Sequence, residues 1–268
     1  MYFSIDDASY WYEIHGKPKG PSLVMLHGFT GSTSTWNEFI ANWKNELRII
    51  TIDLPGHGKT TTPSPKTMEQ CCADLAAFVQ YLQLKEFHLA GYSMGGRTAL
   101  SFAITYPWYI QSLMLESASP GLDTKYERDQ RMAKDEQLAQ KIENEGMSAF
   151  VDFWENIPLF QTQKHLPLDI QASVRQERLA QSAHGLAQSL RYMGTGSQSS
   201  WWNEMEHFRK PVLLITGIYD EKFLAINRRM NNCLGTSHLD IIENAGHAVH
   251  VEQPNIFGER LASFIFSH

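Results

Sequence analysis

The chain has 268 residues, 43% of them hydrophobic, enough to bury a substantial core without staples and too many for a disordered chain. Its formal net charge of −6 argues against a nucleic-acid partner, because phosphate backbones are bound by an excess of Lys and Arg. No apolar run approaches the roughly 18 residues a membrane span needs, and the odd count of cysteines (Cys71, Cys72, Cys233) makes no disulfide framework.

The N-terminal stretch Met1–Asp7 lacks the basic and apolar regions of a signal peptide, so a cytoplasmic protein with reduced thiols is expected. Residues 2–5 and 9–14 read as a β-hairpin with Asp6-Asp7 near its turn. Leu23–Leu26 reads as a buried strand ending at His27-Gly28-Phe29. Arg48–Ile52 is the next strand, followed by Asp53-Leu54-Pro55-Gly56-His57-Gly58 and a loop rich in Thr and Pro over 59–66. Thr67 and Gln70 have the spacing of a capping box. Met68, Cys71, Cys72, Leu75, Phe78, Val79 and Leu82 then recur at helical spacing on one apolar face. Cys71 and Cys72 are expected to pack there as small hydrophobes. Phe87–Ala90 is a strand leading into Gly91, a helix spans 97–106 and stops before Pro107, and Ser112–Leu115 is a further strand.

After Pro120-Gly121 the pattern turns helical, charged and almost strand-free until about Gly196. Strands resume at Val212–Thr216 and Leu239–Ile242, and a last helix covers 256–266. Strands alternating with helices predict an α/β protein with a mostly parallel sheet covered on both faces. The expected organisation is a core of residues 1–121 and 197–268, with a helical cap (lid) of residues 122–196 inserted in it.

Ser93 stands in Gly91-Tyr92-Ser93-Met94-Gly95, between a strand and a helix. A serine on such a turn is held clear of the backbone, and larger residues at the flanking glycines would clash with the neighbouring strand and helix. The string alone is weak, but its placement is that of the reactive serine in an α/β-hydrolase fold. Serine needs a partner that accepts its proton, and the order in this fold is Ser, acid, His. Asp220, in Thr216-Gly217-Ile218-Tyr219-Asp220, and His247, in Asn244-Ala245-Gly246-His247, both follow strands, where active sites of open α/β sheets form. His250 is the rival base and Glu116 the rival acid. His57 reads as a turn-stabilising residue. The backbone N–H groups of Met94 and Phe29 are the expected oxyanion donors, and they would stabilise a tetrahedral oxyanion or an enolate equally well. The serine motif therefore leaves the reaction open, with hydrolysis of an ester, thioester or carbon–carbon bond as one alternative.

Arg97 lies one helical turn beyond Ser93, where a cation would suit a carboxylate substrate; a paired structural arginine is the other reading. In the cap, Arg128, Arg131, Arg175 and Arg178 lie on helical stretches, most of them expected in ion pairs or on solvated faces. Trp154 belongs either to the cap's core or to a pocket wall.

Taken together, Ser93-Met94-Gly95-Gly96-Arg97, Ser119-Pro120-Gly121-Leu122 and Asp220-Glu221-Lys222-Phe223 carry a family resemblance. So do Trp154 with Pro158-Leu159-Phe160, Arg175-Gln176-Glu177-Arg178-Leu179, Leu190–Gly196 and Gly246-His247-Ala248-Val249-His250. From about Leu23 to Glu252 the chain resembles the menaquinone-pathway lyases, the 2-succinyl-6-hydroxy-2,4-cyclohexadiene-1-carboxylate synthases, with no departure at the catalytic positions. The resemblance implies elimination of pyruvate from a small-molecule tricarboxylate. It implies that Ser93, His247 and Asp220 remove a proton and that Phe29 and Met94 hold the enolate. It further implies that Arg97, Arg131 and Arg178 bind carboxylates and that Tyr92 and Trp154 are pocket aromatics. No cofactor, metal, nucleic-acid or membrane partner is expected; the glycines around Ser93 do not form a dinucleotide fingerprint.

Overall fold

The computed structural model describes residues 1–268. The hairpin is β1 (Tyr2–Ile5) and β2 (Ala8–Gly16), followed by β3 (Ser22–Leu26), α1 (Asn37–Trp43) and β4 (Arg48–Ile52). Next come α2 (Met68–Tyr81), β5 (Phe87–Tyr92), α3 (Met94–Thr105) and β6 (Ile110–Glu116). The helical segment holds α4 (Lys125–Trp154), a 3₁₀ stretch over Pro158–His165, α5 (Leu168–Leu179) and α6 (Ala183–Met193). The chain closes with β7 (Val212–Gly217), α7 (Glu221–Cys233), β8 (Ser237–Ile242), α8 (Val249–Glu252) and α9 (Pro254–Ser267).

The eight strands form one sheet in the order β1-β2-β4-β3-β5-β6-β7-β8. β1 and β2 pair antiparallel, β2 is antiparallel to β4, and the six remaining strands run parallel. Alternate residues of each parallel strand enter opposite cores. Val24 and Leu26 pack on one face with α2 and α3, while Leu23 and Met25 pack on the other with α1 and α9. Burial on both faces explains the continuous apolar runs of these strands. The order reverses between β4-β3 and β5, so loops after β3 and β5 diverge and leave a crevice at their carboxyl ends.

The expected capping box begins α2: the Thr67 hydroxyl accepts the Gln70 N–H and the Gln70 amide oxygen accepts the Thr67 N–H. Cys71 and Cys72 are free and buried in the core. Three helices, α1, α7 and the four-residue α8, are not among those the sequence predicts. In α1 only Phe39 and Ile40 are buried, and the inward face of α7 is Leu224, Asn227 and Met230, so neither carries a full apolar stripe. In α4, Gly146 adopts φ 78°, ψ 174° and breaks the helix into two arms, a conformation glycine reaches without a Cβ penalty. The helical segment has its own small core of Ala139, Ile142, Phe150, Val151, Leu186, Ala187 and Leu190, against which Phe29 packs. No helix is long and apolar enough to cross a membrane.

The hairpin is tied to α2 by a buried hydrogen bond from Tyr10 to Asp74, which also pairs with Lys66 of the preceding loop. Asp74 accepts from Lys66 Nζ at 2.9 Å and from the Tyr10 hydroxyl at 2.7 Å. Asp74→Ala strands a buried ammonium and a buried hydroxyl and should cost about 3–5 kcal/mol. Urea unfolding would read this as a lower midpoint at unchanged slope, and a loss below about 1 kcal/mol would show the pair to be solvated.

Candidate active site

Ser93 joins β5 to α3 with φ 50° and ψ −106°, a strained conformation for a residue bearing a Cβ. Its N–H donates to the Glu116 carbonyl at 2.8 Å, and its carbonyl accepts the Arg97 N–H at 2.9 Å. A Cβ on Gly91 would collide with the Gly95 carbonyl, and one on Gly95 with the Leu26 carbonyl. The turn is possible because two backbones meet where no side chain intervenes.

His247 follows β8 and lies between the serine and an acid. Its Nε2 is 3.0 Å from Ser93 Oγ and its Nδ1 is 2.6 Å from Asp220 Oδ2. An ionised carboxylate only accepts, so the assigned tautomer places the proton on Nδ1 and leaves Nε2 to accept from the serine hydroxyl. Both His247 and Asp220 are buried. Asp220 Oδ1 also accepts the Phe223 N–H at 3.3 Å as the N-cap of α7, so one carboxylate starts a helix and orients the imidazole. Glu252 accepts the N–H groups of Gly246 at 2.7 Å and Ala248 at 3.3 Å, pinning the backbone on both sides of His247. The sequence reading passed over Glu252; its only local signal is a carboxylate one turn and a half beyond the histidine. The rivals Glu116 and His250 are bonded to each other, with His250 Nδ1 2.9 Å from both Glu116 oxygens and its N–H 3.0 Å from Oε1. Neither is bonded to Ser93 through its side chain.

The loop after β3 is set by a neutral histidine. His27 Nε2 accepts the Leu54 N–H at 3.0 Å, so Nδ1–H donates to the Gly28 carbonyl at 2.8 Å. The N–H of Phe29 finds no acceptor within the chain, and Met94 is the first residue of α3, where an N–H lacks an intrahelical partner. His57 donates to the Pro55 carbonyl at 3.0 Å within its own turn.

These groups open into a cavity of about 1010 Å³, also lined by Tyr92, Arg97, Arg131 and Trp154. Arg97 Nη1 donates to the Met193 carbonyl at 3.0 Å and to the Gln198 amide oxygen, both neutral. Desolvation and nearby Arg131 push its pKa down to about 9 against the opposing pull of Asp135, so it remains a cation at neutral pH with no bonded anion. Arg131 Nε donates to Asp135 Oδ1 at 2.8 Å. The buried Trp154 Nε1–H has no acceptor, and its ring packs on Phe29, Phe150 and Phe160, so Trp154 is both cap core and cavity wall.

Arg178 departs from the expected grouping. It lines a neighbouring cavity of about 200 Å³, from which Phe29, Tyr92 and Phe160 separate the Ser93 cavity. The guanidinium lies 4.7 Å from the Phe160 ring centroid, and Nη2 donates to Gln163 at 3.0 Å. The aromatic wall thus stands between Arg178 and Ser93. Arg175 forms surface ion pairs with Asp152 and Glu155. Lys134 and Lys222, which the sequence reading gave no role, line the Ser93 cavity. No group of three His, Cys, Asp or Glu residues is arranged to hold a metal ion.

Burial holds His27 down to about 4 and His57 to about 3, the latter also lowered by His27. In the unfolded chain both titrate near 6.5. Between those values the unfolded state binds more protons, so these residues make stability fall as pH drops from about 6.5 toward 4. The buried carboxyls of Asp53, Asp135 and Glu252 are raised and act in the opposite direction. The test is therefore differential: the drop in Tm between pH 7.5 and 5 should be smaller in His57→Gln than in the parent, and an equal drop would remove His57 from the effect.

The α/β-hydrolase-fold family model matches residues 21–254. A Bacillus subtilis (strain 168) relative, named provisionally as 2-succinyl-6-hydroxy-2,4-cyclohexadiene-1-carboxylate synthase, is 44% identical over 98% of this chain and 96% of its own. A Serratia proteamaculans (strain 568) synthase of the same name is 27% identical over 93% of this chain and 95% of its own. The solved structure of MenH from S. aureus superposes with a TM-score of 0.92 at 35% identity, covering 96% of this chain and 98% of that one. The chain belongs to the α/β-hydrolase-fold family and, within it, to the 2-succinyl-6-hydroxy-2,4-cyclohexadiene-1-carboxylate synthases.

Proposed function

We propose that the protein eliminates pyruvate from 2-succinyl-5-enolpyruvyl-6-hydroxy-3-cyclohexene-1-carboxylate, giving 2-succinyl-6-hydroxy-2,4-cyclohexadiene-1-carboxylate in menaquinone biosynthesis. The observation that carries this reading is the unpaired guanidinium of Arg97 in the same cavity as the Ser93–His247–Asp220 relay. A neutral ester gives such a cation nothing to do, whereas a carboxylate offers a charge-assisted bond.

Ser93 Oγ takes the ring proton α to the succinyl ketone while its own proton passes to His247 Nε2. Asp220 stabilises the resulting imidazolium. The N–H groups of Phe29 and Met94 hold the enolate oxygen. Electrons then move through the ring double bond, the bond to the enolpyruvyl oxygen breaks, and enolpyruvate leaves to become pyruvate. The serine relays a proton throughout, so no acyl-enzyme forms. Arg97 and Arg131 meet carboxylates, Trp154 offers its free N–H, and Tyr92 and Phe160 wall the ring. Arg178 joins this set only with Phe160 turned aside. The tricarboxylate is the one partner the reaction needs. We place the reaction in the cytoplasm, where the three thiols stay reduced.

Pyruvate release can be followed with lactate dehydrogenase. Ser93→Ala should lower kcat by roughly a thousandfold or more, and mass spectrometry of the working enzyme should show no mass added at Ser93. A wild-type enzyme that releases no pyruvate, or that accumulates an acyl-serine, would sink the reading in favour of hydrolysis. Arg97→Ala should reduce kcat/KM roughly 10–100-fold, the loss of one hydrogen bond to a charged group; unchanged kinetics would remove Arg97 from the substrate site.

A further inference from the structure

Lys222 occupies an electrostatically unfavourable position that only Asp220 within the chain offsets. It is the second residue of α7, in the first turn, where the helix dipole disfavours a cation. It lines the Ser93 cavity together with Arg131 and Lys134. Partial desolvation and these two like charges hold its ammonium below the ordinary lysine range, with only Asp220 opposing them. Asp220 is already committed to His247 at 2.6 Å. No carboxylate lies within ion-pair distance of Lys222 or Lys134. The nearest aromatic contact is its own neighbour, the Phe223 ring, at 5.3 Å. In the same cavity Arg131 is ion-paired with Asp135, and Arg178 is walled off by Phe160. A ligand with three carboxylates thus meets one fully unpaired guanidinium, Arg97, and two unpaired ammonium groups.

We propose that Lys222, supported by Lys134, is a carboxylate anchor on the α7 side of the cavity, binding a second carboxylate of the substrate apart from the one held by Arg97. The inference rests on the tricarboxylate reading above but is testable without it. A ligand anion relieves the repulsion among Lys222, Lys134 and Arg131 and complements the start of α7 at once. Lys222 acts on binding rather than on proton transfer, because Ser93 and the Phe29 and Met94 N–H groups lie past β3 and β5 and make no bond to it.

Steady-state pyruvate release should show KM rising about tenfold in Lys222→Ala, with a smaller change in kcat, and recovering in Lys222→Arg. Lys134→Ala should raise KM less. Direct binding by calorimetry uses 2-succinylbenzoate, a stable aromatic dicarboxylate, with benzoate as the single-carboxylate control. Lys222→Ala should weaken the dicarboxylate about tenfold and the control far less. If the wild type releases no pyruvate, the function reading fails while the calorimetry still judges the anchor. If pyruvate is released but KM and dicarboxylate affinity are unchanged in Lys222→Ala, the anchor alone is overturned. A fall in kcat at constant KM would also overturn it, by showing that Lys222 acts through Asp220. Lys222 is exposed, and circular dichroism of Lys222→Gln, which should repeat the Lys222→Ala result, separates a folding defect from lost binding.

Discussion

Two backbone contacts hold the Ser93 turn together. At Gly95 the start of α3 lies against the Leu26 carbonyl of β3, and at Gly91 the end of β5 lies against the Gly95 carbonyl. Ser93 between them is forced to φ 50°, a conformation that costs on the order of 1–3 kcal/mol and persists only where the surroundings over-determine it. Here they do: the Ser93 N–H is held by Glu116 of β6, and both faces of β5 are buried. The strain has a geometric return. It brings Ser93 Oγ, the Met94 N–H and the Phe29 N–H to the carboxyl ends of adjacent strands β3 and β5, at the point where the sheet order reverses.

Around that turn the sheet supplies a sequence of carboxylates with separate tasks. Glu116, at the end of β6, is engaged by His250, and Glu252 by the backbone around His247. Asp220, just past the end of β7, is left for the imidazole. Each acid accepts backbone N–H groups, and Glu116 and Asp220 are each bonded to a histidine as well. The orientation of His247 therefore comes from a set of buried bonds rather than from the loop's own conformation.

The cavity above is built on the opposite principle. Arg131 destabilises both Arg97 and Lys222 as cations, and Lys134 adds to the effect on Lys222. Yet no anion of the chain is bonded to Arg97, Lys134 or Lys222. Such uncompensated charge is costly in a partly desolvated site, and under the proposed function the polyanionic substrate offsets it. The same comparison accounts for Arg131, whose bond to Asp135 leaves it a weaker anion site, and for the ion-paired Arg175 and Arg191 on the outer faces of the helical segment.

Local patterns decided much that was legible in the sequence. The parallel strands read as short apolar runs because both of their faces are buried, and α2 announced itself through Thr67, Gln70 and an unbroken apolar face. The order of Ser93, Asp220 and His247 came from strand ends, since each residue sits shortly past one. α1 and α7 were not legible, because too few of their inward positions are hydrophobic. The Gly146 break was hidden inside a continuous helical pattern. Apart from Arg97, one helical turn beyond Ser93, which cations share its cavity was beyond any local pattern. Arg178 carried the family's motif yet lies behind Phe160, while Lys222 carried no role yet lines the cavity. The sequence by itself determined the fold and set Ser93, Asp220 and His247 just past strand ends, because these depend on hydrophobic periodicity and on the residues placed at the carboxyl end of each strand. The tertiary structure alone decided that Lys134 and Lys222 line the Ser93 cavity while Arg178 lines its neighbour, because that depends on how a helical segment from the middle of the chain packs its aromatic wall over strands from both ends.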